Sequence, residues 1–230
     1  MLIDRVIAPY FETNCWILAL GTGQECIIVD PGMAKPNLVK EIEEKISDLN
    51  LKPVAVLITH GHLDHTFSVL PLTKQVPMRT FITGADRVLL TDPMGALDRG
   101  GVSEQFLKAF GMEKFKEPDE VVELEDFLTF EVAGMQITSI FAPGHTKGSV
   151  IFTVDDQQLI SGDVLFAGSI GRTDLPTGSA NEMRKTLRDR ILTLPDGLNV
   201  LPGHGGQTTI AIERVRNPYL QSDFLDQIGR

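Results

Sequence analysis

Three histidines and one aspartate fall within the six positions 60 to 65, directly after an apolar run from Val54 to Ile58. Neutral imidazoles and carboxylates are ligands that zinc and iron prefer. His60 and His62 are two residues apart, so in an extended segment their side chains leave on the same side. Asp64 and His65 are adjacent in sequence, which suits a second metal a few ångströms away. The alternative interpretation is a polar loop with solvated histidines. Four potential metal ligands within six positions make that interpretation the less favoured one.

The remaining potential ligands also follow apolar runs. The chain has five histidines in all, and the other two, His145 and His204, lie in Pro-Gly-His turns after such runs. Asp163 ends a further short strand in Ser161-Gly162-Asp163. In layered α/β folds the loops at strand ends form the site. We therefore predict that these residues meet the first cluster in one metal site.

The complete set resembles the ligand pattern of the metallo-β-lactamase superfamily, and the similarity extends from about residue 14 to residue 218. The segments that carry it are His60-x-His62-x-Asp64-His65, His145, Asp163 and His204. Gly171-Arg172-Thr173-Asp174 is similar to the branch that contains glyoxalase II and the persulfide dioxygenases, and Pro202-Gly203-His204-Gly205 is similar to the shorter bacterial glyoxalase II-like proteins. The resemblance implies an α/β fold, a four-layer αββα sandwich, and a single domain over residues 1–230.

The resemblance also implies roles for each ligand. His60, His62 and His145 would hold one metal, Asp64, His65 and His204 a second, and Asp163 would bridge them. Two divalent ions are expected, zinc first, with iron or manganese as alternatives. A hydroxide between the ions would be the nucleophile. The predicted catalytic carboxylates are Asp64 and Asp163.

The expected substrate is a hydroxyacyl thioester of a low-molecular-weight thiol. A thiolate leaves without a proton donor, whereas an amine must first be protonated, and no histidine is left for that task. Arg172 and Lys147 are candidate substrate contacts; for Arg172, bracing its loop against an acidic neighbour is the favoured interpretation. The alternatives are a mononuclear iron persulfide dioxygenase and a lactone or ester hydrolase of the same fold. Glyoxalase II carries much of its glutathione site on a helical extension for which these 230 residues leave no room, so the thiol carrier stays open.

Charge and hydropathy limit the partners. The net charge of −10 argues against nucleic acid, although two metal ions would add about +4 locally. No apolar run reaches the ~20 residues of a membrane helix, and the N-terminus lacks the pattern of a secretory signal, so we expect no membrane contact and a cytoplasmic location. A monomer or homodimer acting on a small molecule is expected.

Periodicity predicts strands at 3–8, 14–20, 25–29 and 54–58, a helix from Pro36 to Leu49, and a short helix from about Phe67. Cys15 and Cys26 are expected as free thiols, lying close together on paired strands. Asp30, after the third strand, either orients a ligand histidine or begins a turn. Residues 91–118 are expected to form an insertion that packs its own aromatics, or a flap or dimer contact near the pocket.

Overall fold

Two six-stranded sheets form the centre of the molecule in this computed structural model, which describes residues 1–96 and 115–226. The first sheet contains β1 (Leu2–Ile7), β2 (Asn14–Ala19), β3 (Glu25–Val29), β4 (Lys52–Leu57), β5 (Arg79–Thr83) and β6 (Val121–Leu124). The second contains β7 (Thr129–Val132), β8 (Met135–Phe141), β9 (Val150–Val154), β10 (Gln158–Gly162), β11 (Asn199–Pro202) and β12 (Thr208–Thr209).

Both sheets are mixed, and their strands lie in sequence order. In the first sheet β1, β2 and β3 pair antiparallel, and β3 to β6 pair parallel. In the second, β7 to β10 pair antiparallel, β10 pairs parallel with β11, and β12 returns antiparallel. The carboxyl ends of the parallel strands in each sheet therefore face one edge, which is where loop residues gather in α/β folds.

Central strands are apolar on both faces because both faces are covered. All six residues of β2 are buried. Trp16 and Leu18 point between the sheets, where they join Met135 and Phe152 from the second sheet. Their neighbours Cys15, Ile17 and Ala19 belong instead to the cluster under the helices. Alternate residues of β2 thus face opposite sides of the sheet and are buried on both sides, as expected for a sheet that is covered on both faces.

Helices cover the outer faces of the sheets. The α-helices are α1 (Val39–Asp48), α2 (Leu63–Thr66), α3 (Val69–Gln75), α4 (Gly84–Arg87), α5 (Ala180–Thr186), α6 (Ile210–Arg216) and α7 (Ser222–Leu225). Shorter 3-10 helices lie at Val88–Leu90, Pro93–Ala96 and Pro218–Leu220, and a π-helical segment, Leu187–Ile191, continues α5. Ile42 and Ile46 of α1 pack on the first sheet, and Met183, Leu187 and Ile191 pack on the second. The four-layer αββα sandwich is thereby confirmed.

The short helix expected from about Phe67 is confirmed as α3, which begins at Val69. The sequence did not predict α2, which begins at Leu63 because the chain turns directly after extended His62 and His65 N donates to His62 O at 3.0 Å. Cys15 and Cys26 are free and buried as expected, but they are not neighbours: Cys26 lies opposite Ala19, and Cys15 opposite Val6 of β1. Burial raises the pKa of Cys26 to about 12 and also raises that of Cys15, so neither thiol ionises at neutral pH.

The predicted insertion at 91–118 falls largely on residues 97–114, outside the described residues. Its described flanks pack inward: Met94 and Phe115 cover a small cluster of Met33, Leu63 and Phe67. Within the two described ranges, no helix is both long and apolar enough to traverse a lipid bilayer.

Candidate metal centre

The seven sequence-predicted ligands meet where the two sheets adjoin. His60 follows β4 and α2 carries Asp64 and His65, whereas Asp163 and His204 follow β10 and β11 of the second sheet. Backbone hydrogen bonds fasten the sheets at this edge: Asn14 N donates to Gly203 O at 2.7 Å, and Val150 N to Thr59 O at 2.9 Å. Ligands that are distant in sequence are thus fixed by the main chain of both sheets.

We call His60, His62 and His145 the three-histidine group. His62 Nδ1 lies 2.8 Å from His145 Nε2, which lies 3.2 Å from His60 Nε2. All three side chains are buried. Ligands at tetrahedral angles, ~2.0–2.1 Å from a zinc ion, are about 3.3 Å apart, so these nitrogens have the spacing of ligands to one ion.

We call Asp64, His65 and His204 the aspartate group. His204 Nε2 lies 3.2 Å from His65 Nε2 and 3.4 Å from Asp64 Oδ2. This group is more open than the first, since the side chains of Asp64 and His204 are 22% and 25% exposed. The opening places the aspartate group on the side that solvent and small molecules reach.

Asp163 lies between the two groups. Its Oδ1 is 3.4 Å from His65 Nε2, and its Oδ2 is 3.5 Å from His145 Nε2 and 3.4 Å from His204 Nε2. Oδ1 is buried and accepts no hydrogen bond from the described residues. A Cβ at Gly203 would stand 2.2 Å from this oxygen, so only glycine leaves the carboxylate its place.

These features fit a dinuclear metal site. The ligand atoms form three overlapping sets in which all lie within 4.8 Å of one another: the three-histidine group, the aspartate group, and His60 with His65 and Asp163. A buried carboxylate oxygen without a donor is costly unless a cation meets it. The donor set, nitrogens and carboxylate oxygens, suits zinc and iron alike.

The outward-facing nitrogens of three histidines are held by partners. His65 Nδ1 donates to Asp30 Oδ2 at 3.0 Å, and His145 Nδ1 donates to Arg172 O at 2.7 Å. Thr59 Oγ1 donates to Asp30 Oδ2 at 2.6 Å and lies 3.1 Å from His60 Nδ1, so it can accept from that nitrogen. These contacts turn the Nε2 atoms toward the centre and fix their tautomers. Asp30 therefore orients a candidate ligand histidine, which is the first of its two predicted roles.

The two groups differ in charge in the metal-free protein. Burial and the neighbouring imidazoles lower the pKa of His62 to about 3 and also lower that of His60. Burial acts the same way on His65 and His204, but Asp163 and Asp64 outweigh it and raise their pKa values to about 9 and about 10. Although burial opposes their ionisation, the same histidines hold the pKa values of Asp64 and Asp163 below the usual range. His60 and His62 are thus neutral, whereas the aspartate group is a set of ion pairs.

Two predicted substrate contacts lie beside the centre. Arg172 pairs with Asp174 through two contacts of 2.8 Å, in agreement with the bracing interpretation, and its carbonyl oxygen holds His145. Lys147 is exposed and borders a cavity of about 320 Å³ together with Thr177 and Ser179. Their contact with a substrate stays a prediction.

Sequence reasoning missed two residues that organise the site. Thr59 links His60 to Asp30, and buried Asp86 accepts hydrogen bonds from both ligand-bearing segments. Thr59 could have been found from the sequence by its position directly before His60, the first predicted ligand. Asp86 follows a strand by a few residues, but nothing near it in sequence indicates that its partners lie 25 to 62 residues away.

Comparison with known proteins gives one family match and several close relatives. A family model described as "Metallo-beta-lactamase superfamily" matches residues 8–204. A hydroxyacylglutathione hydrolase, GloC, of Haemophilus influenzae is 32% identical over 96% of this chain and 99% of its own length. A crystal structure of TTHA1623 in a di-iron-bound form has a TM-score of 0.75 at 30% identity, covering 94% of this chain and all of that one. BLEG-1, a B3 metallo-beta-lactamase, has a TM-score of 0.81 at 28% identity, covering 96% and 100%.

Proposed function

The chain belongs to the metallo-beta-lactamase superfamily, and on that premise we propose that it hydrolyses hydroxyacyl thioesters of a low-molecular-weight thiol. The observation that carries the proposal is the completeness of the aspartate group beside the three-histidine group. The alternative oxygenase would use a single iron, whereas a hydrolase can use two ions without redox activity. Two complete ligand groups around one carboxylate therefore favour hydrolysis. The relative named hydroxyacylglutathione hydrolase, aligned over nearly the whole chain, supports the same reaction class.

The ligand groups define where the ions would sit. The three-histidine group would hold one and the aspartate group the other, with Asp163 contributing to both. Bound there, two divalent ions supply a water of lowered pKa and a Lewis acid for the thioester carbonyl. The carboxylates of Asp64 and Asp163 offset part of the added charge. Asp64 also accepts a hydrogen bond from Thr13 Oγ1 at 3.3 Å, and its side chain is exposed enough to orient a water that enters from solvent.

The leaving group favours a thioester over a β-lactam. A thiol has a pKa near ~8.5, so its thiolate departs unprotonated, whereas an amine needs a general acid. All five histidines of the chain lie in the two ligand groups, which leaves none to protonate an amine. BLEG-1 bears the name of a lactamase, so a β-lactam belongs in the assay as a comparison substrate.

Lys147 makes an anionic substrate favourable. It follows ligand His145 by two residues and borders the cavity lined by Thr177 and Ser179. We expect Lys147→Ala to raise KM about three- to tenfold for a thioester whose thiol carries a carboxylate, with kcat little changed, because one exposed charge contact is lost. Steady-state kinetics with charged and uncharged thiols measure this, and an equal KM rise for both thiols would remove Lys147 from substrate recognition.

The experiment that tests the reaction uses metal-stripped protein refilled with a single metal. We expect the zinc form to cleave a lactoyl thioester of a small thiol, released thiol being measured. Zinc has no accessible redox change and cannot activate dioxygen. An inactive zinc form, fully loaded by elemental analysis, would contradict the proposal.

The second candidate is an iron oxygenase acting on a persulfide of the same thiol. The observation in its favour is the relative whose crystal structure is in a di-iron-bound form. His60, His145 and Asp163 lie close enough to supply two histidines and a carboxylate to one iron. Anaerobic refilling with ferrous iron, followed by addition of oxygen and persulfide, decides between them: we expect little oxygen uptake, and fast stoichiometric uptake would favour the oxygenase.

A further inference from the structure

A fully buried carboxylate, Asp86, joins the segments that carry the three-histidine group. It lies on α4, directly after β5, and none of its side chain is exposed. Gly61 N donates to its Oδ2 at 2.8 Å, Thr146 Oγ1 donates to the same oxygen at 2.6 Å, and Gly148 N donates to Oδ1 at 2.8 Å. Among the described residues no lysine or arginine pairs with Asp86. Within the described residues, these three donors therefore hold the Asp86 side chain in place.

These three donors lie within three residues of the candidate ligands in sequence. Gly61 is the residue between His60 and His62, and Thr146 and Gly148 follow His145 by one and three positions. The first segment comes from the first sheet and the second from the second sheet. One side chain thus fixes the separation of two backbone segments that share a ligand group.

The packing around Asp86 leaves no space for an additional side-chain atom. A Cβ at Gly148 would lie 2.5 Å from Asp86 Oδ1 and 2.4 Å from Thr83 Oγ1, which itself donates to Gly148 O at 2.6 Å. A Cβ at Gly61 would lie 2.9 Å from Asp86 O and 2.6 Å from Leu89 Cδ1. Both glycines are required for the close approach of the chain to Asp86, so these contacts set the position of each segment.

We infer that Asp86 is a positioning residue that sets the metal affinity of the three-histidine group while leaving the aspartate group unaffected. It contacts no ligand atom and acts through the backbone on which His60, His62 and His145 stand. Residues that hydrogen-bond directly to metal ligands commonly change metal affinity about 10- to 100-fold when replaced, and we expect the same range for Asp86 because it fixes the backbone beside all three histidines. The inference depends on metal binding alone, so metal affinities test it even if the thioester proposal fails.

The test uses two single-ion backgrounds. In His204→Ala only the three-histidine group is complete, and in His62→Ala only the aspartate group is. Adding Asp86→Asn should weaken zinc about 10- to 100-fold in the first background and less than about threefold in the second, by competition with a chromophoric chelator. The amide keeps the shape of the side chain but turns an N–H₂ toward at least one of the three donors. Equal weakening in both backgrounds, or no weakening in either, would overturn the inference.

Glu213→Gln is the matched control. Glu213 is also a buried carboxylate that accepts from a backbone amide, Gly168 N at 2.7 Å, and from Thr208 and Asn217, but none of these donors adjoins the three-histidine group. We expect it to lower thermal stability and to leave zinc affinity in the His204→Ala background within about threefold of the parent. A drop as large as that of Asp86→Asn would mean that any buried carboxylate has this effect, and the inference would fall.

Thr146→Val is a milder variant that keeps the test decisive if Asp86→Asn does not fold. It removes one of the three hydrogen-bond donors to Asp86 and keeps the size of the side chain. It should weaken zinc in the His204→Ala background by about three- to tenfold in a folded protein. Circular dichroism checks folding, and unchanged zinc affinity in the folded variant would overturn the inference.

Discussion

The two ligand groups share an edge of the molecule but differ in exposure and charge. The three-histidine group is buried, and the lowered pKa values of His60 and His62 leave those two imidazoles with the proton-free nitrogens that a metal requires. The aspartate group is partly open, and in the metal-free protein it is held together by ion pairs between Asp64, Asp163 and two protonated histidines. The difference suggests that the first group serves mainly to anchor an ion, and the second exchanges protons and meets the substrate.

The shared carboxylate is the strongest test of this division. Because Asp163 contacts histidines of both groups, Asp163→Asn should remove at least one ion and lower hydrolysis on the order of 10³-fold. Elemental analysis and the thioester assay measure both effects. Asp174→Asn is the control, since Asp174 pairs with exposed Arg172, and it should keep full metal content. Loss of metal in Asp174→Asn and full metal content in Asp163→Asn would mean that Asp163 is not the carboxylate shared by the two ions.

Removal of one histidine from each group separates the groups. We expect His62→Ala and His204→Ala each to lose about one equivalent of metal and more than about 100-fold in activity, since each removes one ligand of three. His62→Ala should lose the ion from a closed site, and His204→Ala from an open one that exchanges faster. Stoichiometry and chelator-exchange rates test this; equal exchange rates for the remaining ion would contradict the difference in exposure.

The dependence of zinc affinity on pH should differ between the groups. A histidine whose pKa is raised must release its proton to bind metal, so affinity rises with pH until the raised pKa is passed. With values of about 9 and about 10, His65 and His204 should make zinc affinity at the aspartate group rise up to ~100-fold per pH unit between pH 7 and 9. The three-histidine group should be nearly flat there, since the pKa of His62 is about 3. Zinc affinity can be measured against pH for each group in the single-ion variants His62→Ala and His204→Ala. Equal slopes in the two variants would contradict the difference in protonation between the groups.

Asp30 should affect both groups by a smaller amount. It reaches His65 directly and His60 through Thr59, so Asp30→Asn should weaken zinc about tenfold in both single-ion backgrounds. This symmetry contrasts with the one-sided effect expected of Asp86. An effect confined to one background would show that the link through Thr59 has no energetic weight.

The family resemblance predicted the αββα fold and the assembly of the candidate ligands, and local apolar patterns predicted the strands that carry them. Apolar runs identified the strands, and each candidate ligand stood just beyond such a run. Register was harder: the separation of Cys15 from Cys26 depends on how β2 and β3 align around their turn. The helix at Leu63 was also missed, because a ligand-rich segment without apolar periodicity resembles a loop. Asp86 could not be found, since its partners are backbone amides that only the folded chain brings near.

The junction of the two sheets has a thermodynamic consequence. The first sheet and its helices supply His60, His62, Asp64 and His65, whereas the second supplies the other three candidate ligands. Each ligand group therefore draws on both sheets, so an ion held by either group binds only the packed state. Ligation of this kind shifts the unfolding equilibrium by mass action, by about 2.7 kcal/mol when free ligand is 100 times its dissociation constant. The resistance of the molecule to heat or urea then varies with the free metal concentration around it. A chelator would act on this protein as a denaturant does, by lowering the free energy of unfolding without touching a single apolar contact.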